Sequence, residues 1–345
     1  MTFSKIDYIL LFFSSFILVG VLTPIIRRFA ILYGIMDRPN SLHKTHHNPV
    51  PYLGGIGIII GVITICYLGI ISSEFTRSNF WLATSLLGPA VFMGLVGLWD
   101  DLKSLKPLPR LFGQSIAGLV VAIFLILNDN IGNPVGITSL DLAITVLWIV
   151  GICNSINFFD NIDGGAAGAV SIAAISLTFL AILGNQFFIA ALSIVVAGST
   201  LGFLIWNKDP ARIYMGDTGA LFLGVLIATL TVRFEPSTDT AMASFALPIG
   251  LLAVPILDTT VAVFSRFRRR ISPLVGGMDH LSHRLIRFGL SRRKSVITLW
   301  ILSTFYCLLA ILISIGDKFY ETVFLVIGLF TWIMLLKFFL SMRDS

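Results

Sequence analysis

Eleven stretches of this chain are apolar for long enough to cross a hydrocarbon layer as helix. They cover residues 7–26, 52–72, 79–99, 111–127, 138–156, 166–183, 186–206, 213–232, 241–264, 295–315 and 321–341. A helix needs about 20 such residues to traverse a core of ~30 Å. The pattern therefore predicts an all-α fold, a polytopic transmembrane helical bundle of about 11 spans. The segments between spans are too short for a separate soluble domain, so residues 1–345 are expected to form a single integral membrane domain. The stretches 138–156 and 213–232 are the weakest, because polar side chains sit at their margins. The first stretch is followed directly by Arg27 and Arg28 with no small-residue cleavage pattern, so it reads as a retained helix and not a cleaved leader.

Composition agrees with this reading. Hydrophobic residues make up 56% of the chain and charged residues 12%, about half the ~25% of a soluble domain, and the mean hydropathy is +0.93. Charge distribution adds an orientation. With the 27–51 segment inside, the inner segments and C-terminus hold twenty of the 24 Lys and Arg residues, and the outer side holds Lys5, Arg77, Arg233 and Lys318. Basic residues resist translocation, so the expected topology is N-terminus outside and C-terminus inside, in the inner (plasma) membrane. A surplus of +6 follows from that topology, although a basic inner face also attracts anionic lipid or a nucleotide diphosphate. No nucleic-acid partner is expected. Cys66, Cys153 and Cys307 each fall inside an apolar run, which argues against a disulfide framework or a zinc site.

Five polar clusters fall on the inner side. The first runs from Asp37 through Lys44, His46 and His47 to the pair Gly54-Gly55 at a helix start. Those glycines either let a ligand approach backbone N–H groups or let helices pack closely. The second is Asp100-Asp101 at the end of the third span. Adjacent carboxylates there are either a solvated loop pair or a site needing a cation, a hydrogen-bond network or a basic substrate. The third is Asn154, Asn157, Asp160 and Asp163, spaced by three and followed by Gly164-Gly165, which on a helix forms one slowly rotating stripe.

The fourth cluster is Met215-Gly216-Asp217-Thr218-Gly219, preceded by Arg212; Asp217 there is either a helix cap or a site residue. The fifth is the basic segment Arg266 to Lys294, with His280, His283 and Arg284 suited to phosphate, and Arg268-Arg269-Arg270 reading as a positive anchor. Asp258, about two turns inside the ninth span, either bonds a neighbouring helix or belongs to the site.

Carboxylates and amides without a Cys or His cage favour a hard cation, Mg²⁺ or Mn²⁺, that keeps substrate phosphates in its shell. Basic side chains around it would neutralise the remaining phosphate charge. The combination describes phosphoryl transfer at a membrane surface, between a soluble donor and a lipid acceptor. No Walker-type loop is present. A transporter is the main alternative, although transporters place their polar residues near the midplane.

The order and wording of these clusters, from Asp37 to Arg293, resemble the polyprenyl-phosphate N-acetylhexosamine-1-phosphate transferases, nearest the WecA/TagO-like branch and more distantly MraY. The resemblance implies transfer of an N-acetylhexosamine 1-phosphate, GlcNAc-1-phosphate first, from a UDP-sugar to undecaprenyl or another polyprenyl phosphate. It implies a cytoplasmic active site with Asp217 as Mg²⁺ ligand and Asn157 completing the shell. Asp100 and Asp101 would orient or activate the lipid phosphate or assist the metal. Asp160 and Asp163 would lie near nucleotide and sugar, Lys44 and His46 in the first cytoplasmic loop, and His280, His283 and Arg284 on the donor diphosphate and sugar. Asn154 and Arg212 are counted with substrate binding. A homodimer is among the expected assemblies. One departure is Ser282, where relatives of this branch commonly read His-x-His-His. The chain also lacks the three consecutive histidines of the MurNAc-pentapeptide enzyme, which points to a smaller N-acetylated sugar.

Overall fold

A computed structural model describes residues 4–37, 49–72, 77–238, 240–273 and 277–342. Among them the chain is almost wholly helical. The helices are α1 (Lys5–Leu32), α2 (Gly54–Ser72), α3 (Arg77–Lys103), α4 (Pro107–Leu127), α5 (Thr138–Phe159), α6 (Gly165–Leu183), α7 (Phe187–Asn207), α8 (Gly216–Arg233), α9 (Ala241–Leu251), α10 (Ala253–Arg268), α11 (Leu281–Arg287), α12 (Arg292–Ile315) and α13 (Lys318–Ser341). The described strands are β1 (Met36–Asp37) and β2 (Val50–Pro51), paired antiparallel with Met36 opposite Pro51. Among the described residues, ten helices are long and apolar enough to cross a membrane singly.

The eleventh expected span, 241–264, is not one continuous helix. It is α9 and α10, bent by 77° at Leu252. Pro255 explains the break: it has no N–H to give to the carbonyl four residues back. That carbonyl, on Leu251, instead accepts the Cys307 thiol at 3.6 Å. Counted as one broken span, the pair preserves the eleven-span reading, and the chain is a multi-pass membrane protein.

Helix α8 is the hub of the bundle. Of its most apolar stretch 78% is buried, against 6% for α13, so α8 is surrounded by protein while α13 lies at the periphery of the bundle. Close approach to α8 depends on residues without side chains. A Cβ on Gly55 would come within 2.2 Å of the Gly219 nitrogen, and one on Gly97 within 2.3 Å of the Asp217 carbonyl oxygen. The N–H groups of Gly54 and Gly55 donate to the carbonyls of Tyr214 (3.0 Å) and Met215 (2.9 Å). Of the two roles open to this glycine pair, the observed one is helix packing.

Helix α5 ends at Phe159, with Asp160 as its C-terminal cap residue. The stripe of four polar residues is therefore only partly helical. Asn154 and Asn157 ride on α5, whereas Asp163 is reached through the following turn, which closes at Gly164 with φ +75°. The polar clusters come from segments that follow alternate spans, and the described ones converge on one end of the bundle.

Candidate active site

At that end lies a cavity of about 580 Å³, floored by the ends of α3, α5 and α8 and walled by the segments around α11 and the start of α12. Its centre is set by the two neighbouring aspartates, which do different things. Asp101 caps α8 from another helix: its Oδ1 accepts the Asp217 N–H (2.9 Å), and its Oδ2 accepts the Thr218 N–H (3.0 Å) and hydroxyl (2.6 Å). These are N–H groups that the first turn of a helix cannot satisfy internally. Gly216 makes room for the cap, since it has φ +70° and a Cβ there would meet the Asp101 carboxylate at 2.5 Å. Capping is thus done by Asp101, which leaves the Asp217 carboxylate directed elsewhere.

Asp217 meets Asn157 and Arg110. The Asn157 amide donates to Asp217 Oδ1 (2.5 Å), and one guanidinium nitrogen, Nη1 of Arg110, lies 3.0 Å from both Asp217 Oδ2 and Asp100 Oδ2. The other Asp100 oxygen accepts the Leu105 N–H at 2.6 Å, fixing the turn that carries the chain into α4. Two carboxylate oxygens thus converge on a single cationic nitrogen. Among the described residues no group of three His, Cys, Asp or Glu side chains could hold a metal ion. The two carboxylates with the Asn157 amide nevertheless form the oxygen-rich, thiol-free donor set that suits Mg²⁺ or Mn²⁺, which takes one or two carboxylates and fills its shell with water and substrate phosphate.

Asp160 and Asp163 also line the cavity. Desolvation raises the Asp160 pKa well above the ordinary carboxylate range, and the negative charges of Asp217, Asp101 and Asp163 push it the same way. Asp163 accepts the Ala211 N–H (2.9 Å) and lies 3.6 Å from Arg292, joining three loops of the site. Asn207 reinforces that junction, accepting from the Gly164 N–H and donating to the Ile213 carbonyl, both at 3.0 Å.

The histidine segment forms one wall. His280 Nδ1 lies 2.7 Å from Asp258 Oδ2, and the His280 ring is edge-on to Phe158 and to His283, with centroids 5.6 and 6.0 Å apart. Burial, together with the neighbouring His280, lowers the His283 pKa to about 4, so this ring is neutral at physiological pH. Asp258 belongs with the site, through His280. Ser282 is buried and donates its hydroxyl to Asn161 Oδ1. Arg266 lies over the Phe158 ring at 5.3 Å and pairs with Asp279 at 3.0 Å. Desolvation would raise the Asp279 pKa, but Arg266 and Arg269 outweigh it and hold the carboxyl below its usual range.

Three expected substrate-binding residues are placed elsewhere. Arg284 does not line the cavity. It is 1% exposed, and its fork of donors is taken by the carbonyls of Asp279 (2.9 Å), Phe339 (2.8 Å) and Met342 (2.9 Å), so it ties α11 to carbonyls at the end of α13. Asn154 faces α4, where it donates to Gln114 Oε1 at 2.7 Å. Arg212 is exposed and stacks over Trp206 at 5.6 Å. Lys44 and His46 lie outside the described residues. Conversely, Arg110, Arg266 and Arg292 line the cavity, although their sequence signal is no more than positive charge on the inner side; so do Tyr52, Tyr214 and Asn161. For Arg110 the local hint is its place directly before the apolar run 111–127, nine residues after Asp101.

The family described as glycosyl transferase family 4 matches residues 82–235, from within α3 to just past α8. A Bacillus subtilis protein named as a probable undecaprenyl-phosphate N-acetylglucosaminyl 1-phosphate transferase is 34% identical over 315 residues, covering 90% of this chain and 86% of its own. The chain belongs to glycosyl transferase family 4. Other proteins similar to this family 4 chain include a Mycolicibacterium smegmatis decaprenyl-phosphate N-acetylglucosaminephosphotransferase, 32% identical over 80% of this chain and 74% of its own. An Endomicrobium trichonymphae phospho-N-acetylmuramoyl-pentapeptide-transferase is 28% identical over 77% of this chain and 81% of its own. Family membership agrees with the resemblance read from the five clusters.

Proposed function

We propose that this family 4 chain transfers an N-acetylhexosamine 1-phosphate, GlcNAc-1-phosphate first, from a UDP-sugar to a polyprenyl phosphate, giving polyprenyl-diphospho-sugar and UMP. The names of the Bacillus and Mycolicibacterium relatives support the polyprenyl-phosphate acceptor and the GlcNAc-1-phosphate group. The observation that carries the reading is the convergence of Asp100, Asp217, Asn157 and Arg110 at the floor of a cavity at one end of the bundle. There a soluble donor and a lipid head group can meet.

In this reading Asp217, Asp100 and Asn157 would hold Mg²⁺ or Mn²⁺, which when bound neutralises charge on the diphosphate. The chain's own groups do the rest. Arg110, Arg266 and Arg292 supply positive charge to phosphates in the cavity. The acceptor, with a second pKa near ~6, is largely ionised at neutral pH and needs orientation more than a strong base. Its oxygen forms a bond to the sugar-linked phosphorus as the bond from that phosphorus to the bridging oxygen breaks, and the electron pair leaves with UMP. The cytoplasmic face of the inner membrane is the proposed location, supported by the bias of basic residues toward the site end.

The test is UMP release from UDP-GlcNAc by purified protein in detergent, with and without undecaprenyl phosphate and Mg²⁺. Release that needs both is expected. Silence with every UDP-sugar, from protein shown to be folded, would overturn the reading in favour of a transporter.

A further inference from the structure

Asp258 is wholly buried, and both of its oxygens are engaged by the histidine segment. Oδ1 accepts the Leu281 N–H at 2.7 Å and Oδ2 lies 2.7 Å from His280 Nδ1. With Oδ1 already accepting the Leu281 N–H, the geometry suits a carboxylate that accepts a hydrogen bond from Nδ1–H through Oδ2. Nε2 is then the only ring nitrogen of His280 available to anything bound in the cavity that this residue lines. Phe158 and His283, both edge-on to the ring, limit its rotation. The carboxylate comes from α10, beyond the break at Leu252, and so links the bent span to the cavity wall.

We propose that Asp258 is a positioning residue: it holds His280 with Nδ1 as donor so that Nε2 is the nitrogen presented to the phosphate-bearing substrate. The inference rests on the transferase reading. A carboxylate behind an imidazole selects the tautomer and orients the ring, and loss of such a supporting partner in metal sites costs about 10–100-fold.

A double-mutant cycle tests this in the Mg²⁺-dependent UMP-release assay. Asp258→Asn is expected to lower kcat about 10–100-fold in the wild-type background and by less than about twofold in a His280→Ala background, because Asp258 acts through His280. Equal losses in both backgrounds, or no loss in either, would overturn the proposal; equal losses are what a purely structural role through Leu281 predicts. Should Asp258→Asn fail to fold, ¹⁵N chemical shifts of histidine in the wild-type protein decide the matter. A proton on Nδ1 of His280 is expected, and a ring protonated only at Nε2 would overturn it. Inactivity of the wild-type protein with every donor would instead sink the transferase reading while leaving the tautomer measurement valid.

Discussion

Asp217 stands between an amide and a guanidinium, and because Asp101 caps its helix, its carboxylate faces the cavity and is not spent on capping. Asp217→Asn keeps the size of the side chain and removes the charge. Turnover is expected to fall at least about 100-fold, on the scale of losing a principal electrostatic contact, while Arg268→Ala, whose exposed guanidinium donates to the Leu340 carbonyl at 3.4 Å, changes it less than about twofold. Steady-state UMP release compares the two. Asp160 bears on stability instead. Its native pKa is raised above the unfolded value of about 3.9, so between those values the native state holds a proton that the unfolded chain has released. Stability therefore falls as pH rises through that window. Asp160→Asn should melt higher than the parent at pH 8, by about 1–4 °C, and no higher at pH 4; thermal scans in chelator-containing buffer measure this.

At the scale of elements, the site is an effect of how closely α3 and α8 approach. Gly97 lies against the Asp217 carbonyl, so an added methyl would separate the two helices where Asp101 caps α8. Gly97→Ala is expected to cost about 1–3 kcal/mol and to reduce activity. Gly88→Ala, on the same helix with nothing near its Cβ position, should be tolerated; melting temperature and UMP release of both variants check the contrast. The broken span belongs to this scale as well. Its total length was legible as apolar sequence, but the 77° turn depends on Pro255, on the Cys307 thiol that takes the freed Leu251 carbonyl, and on neighbouring helices that accommodate the bend.

Over the whole molecule, the end that carries the site is also the end where basic residues accumulate. Single cysteines at opposite ends test the proposed orientation: Ser139 at the start of α5 and Lys294 at the start of α12 are both exposed. In intact cells a membrane-impermeant thiol reagent should modify Ser139→Cys and leave Lys294→Cys untouched until the membrane is opened. The reverse pattern would invert the topology. Cys66, Cys153 and Cys307 are buried, which keeps the background low.

The sequence by itself determined the spans and the side of the bundle on which the polar clusters meet. Both follow from local quantities: the length of each apolar run fixes a crossing, and successive crossings alternate the side of each loop. Asp217 and Asn157 were legible as site candidates because polar residues at the margins of apolar runs are costly without a role. Tertiary structure decided which neighbours did what. Asp101 caps a helix 116 residues away while Asp100 faces Arg110, and Arg266 turns to the cavity while Arg284 binds the end of α13. Residue type alone does not separate these pairs, because where a side chain points depends on the partners that distant segments bring within hydrogen-bond reach.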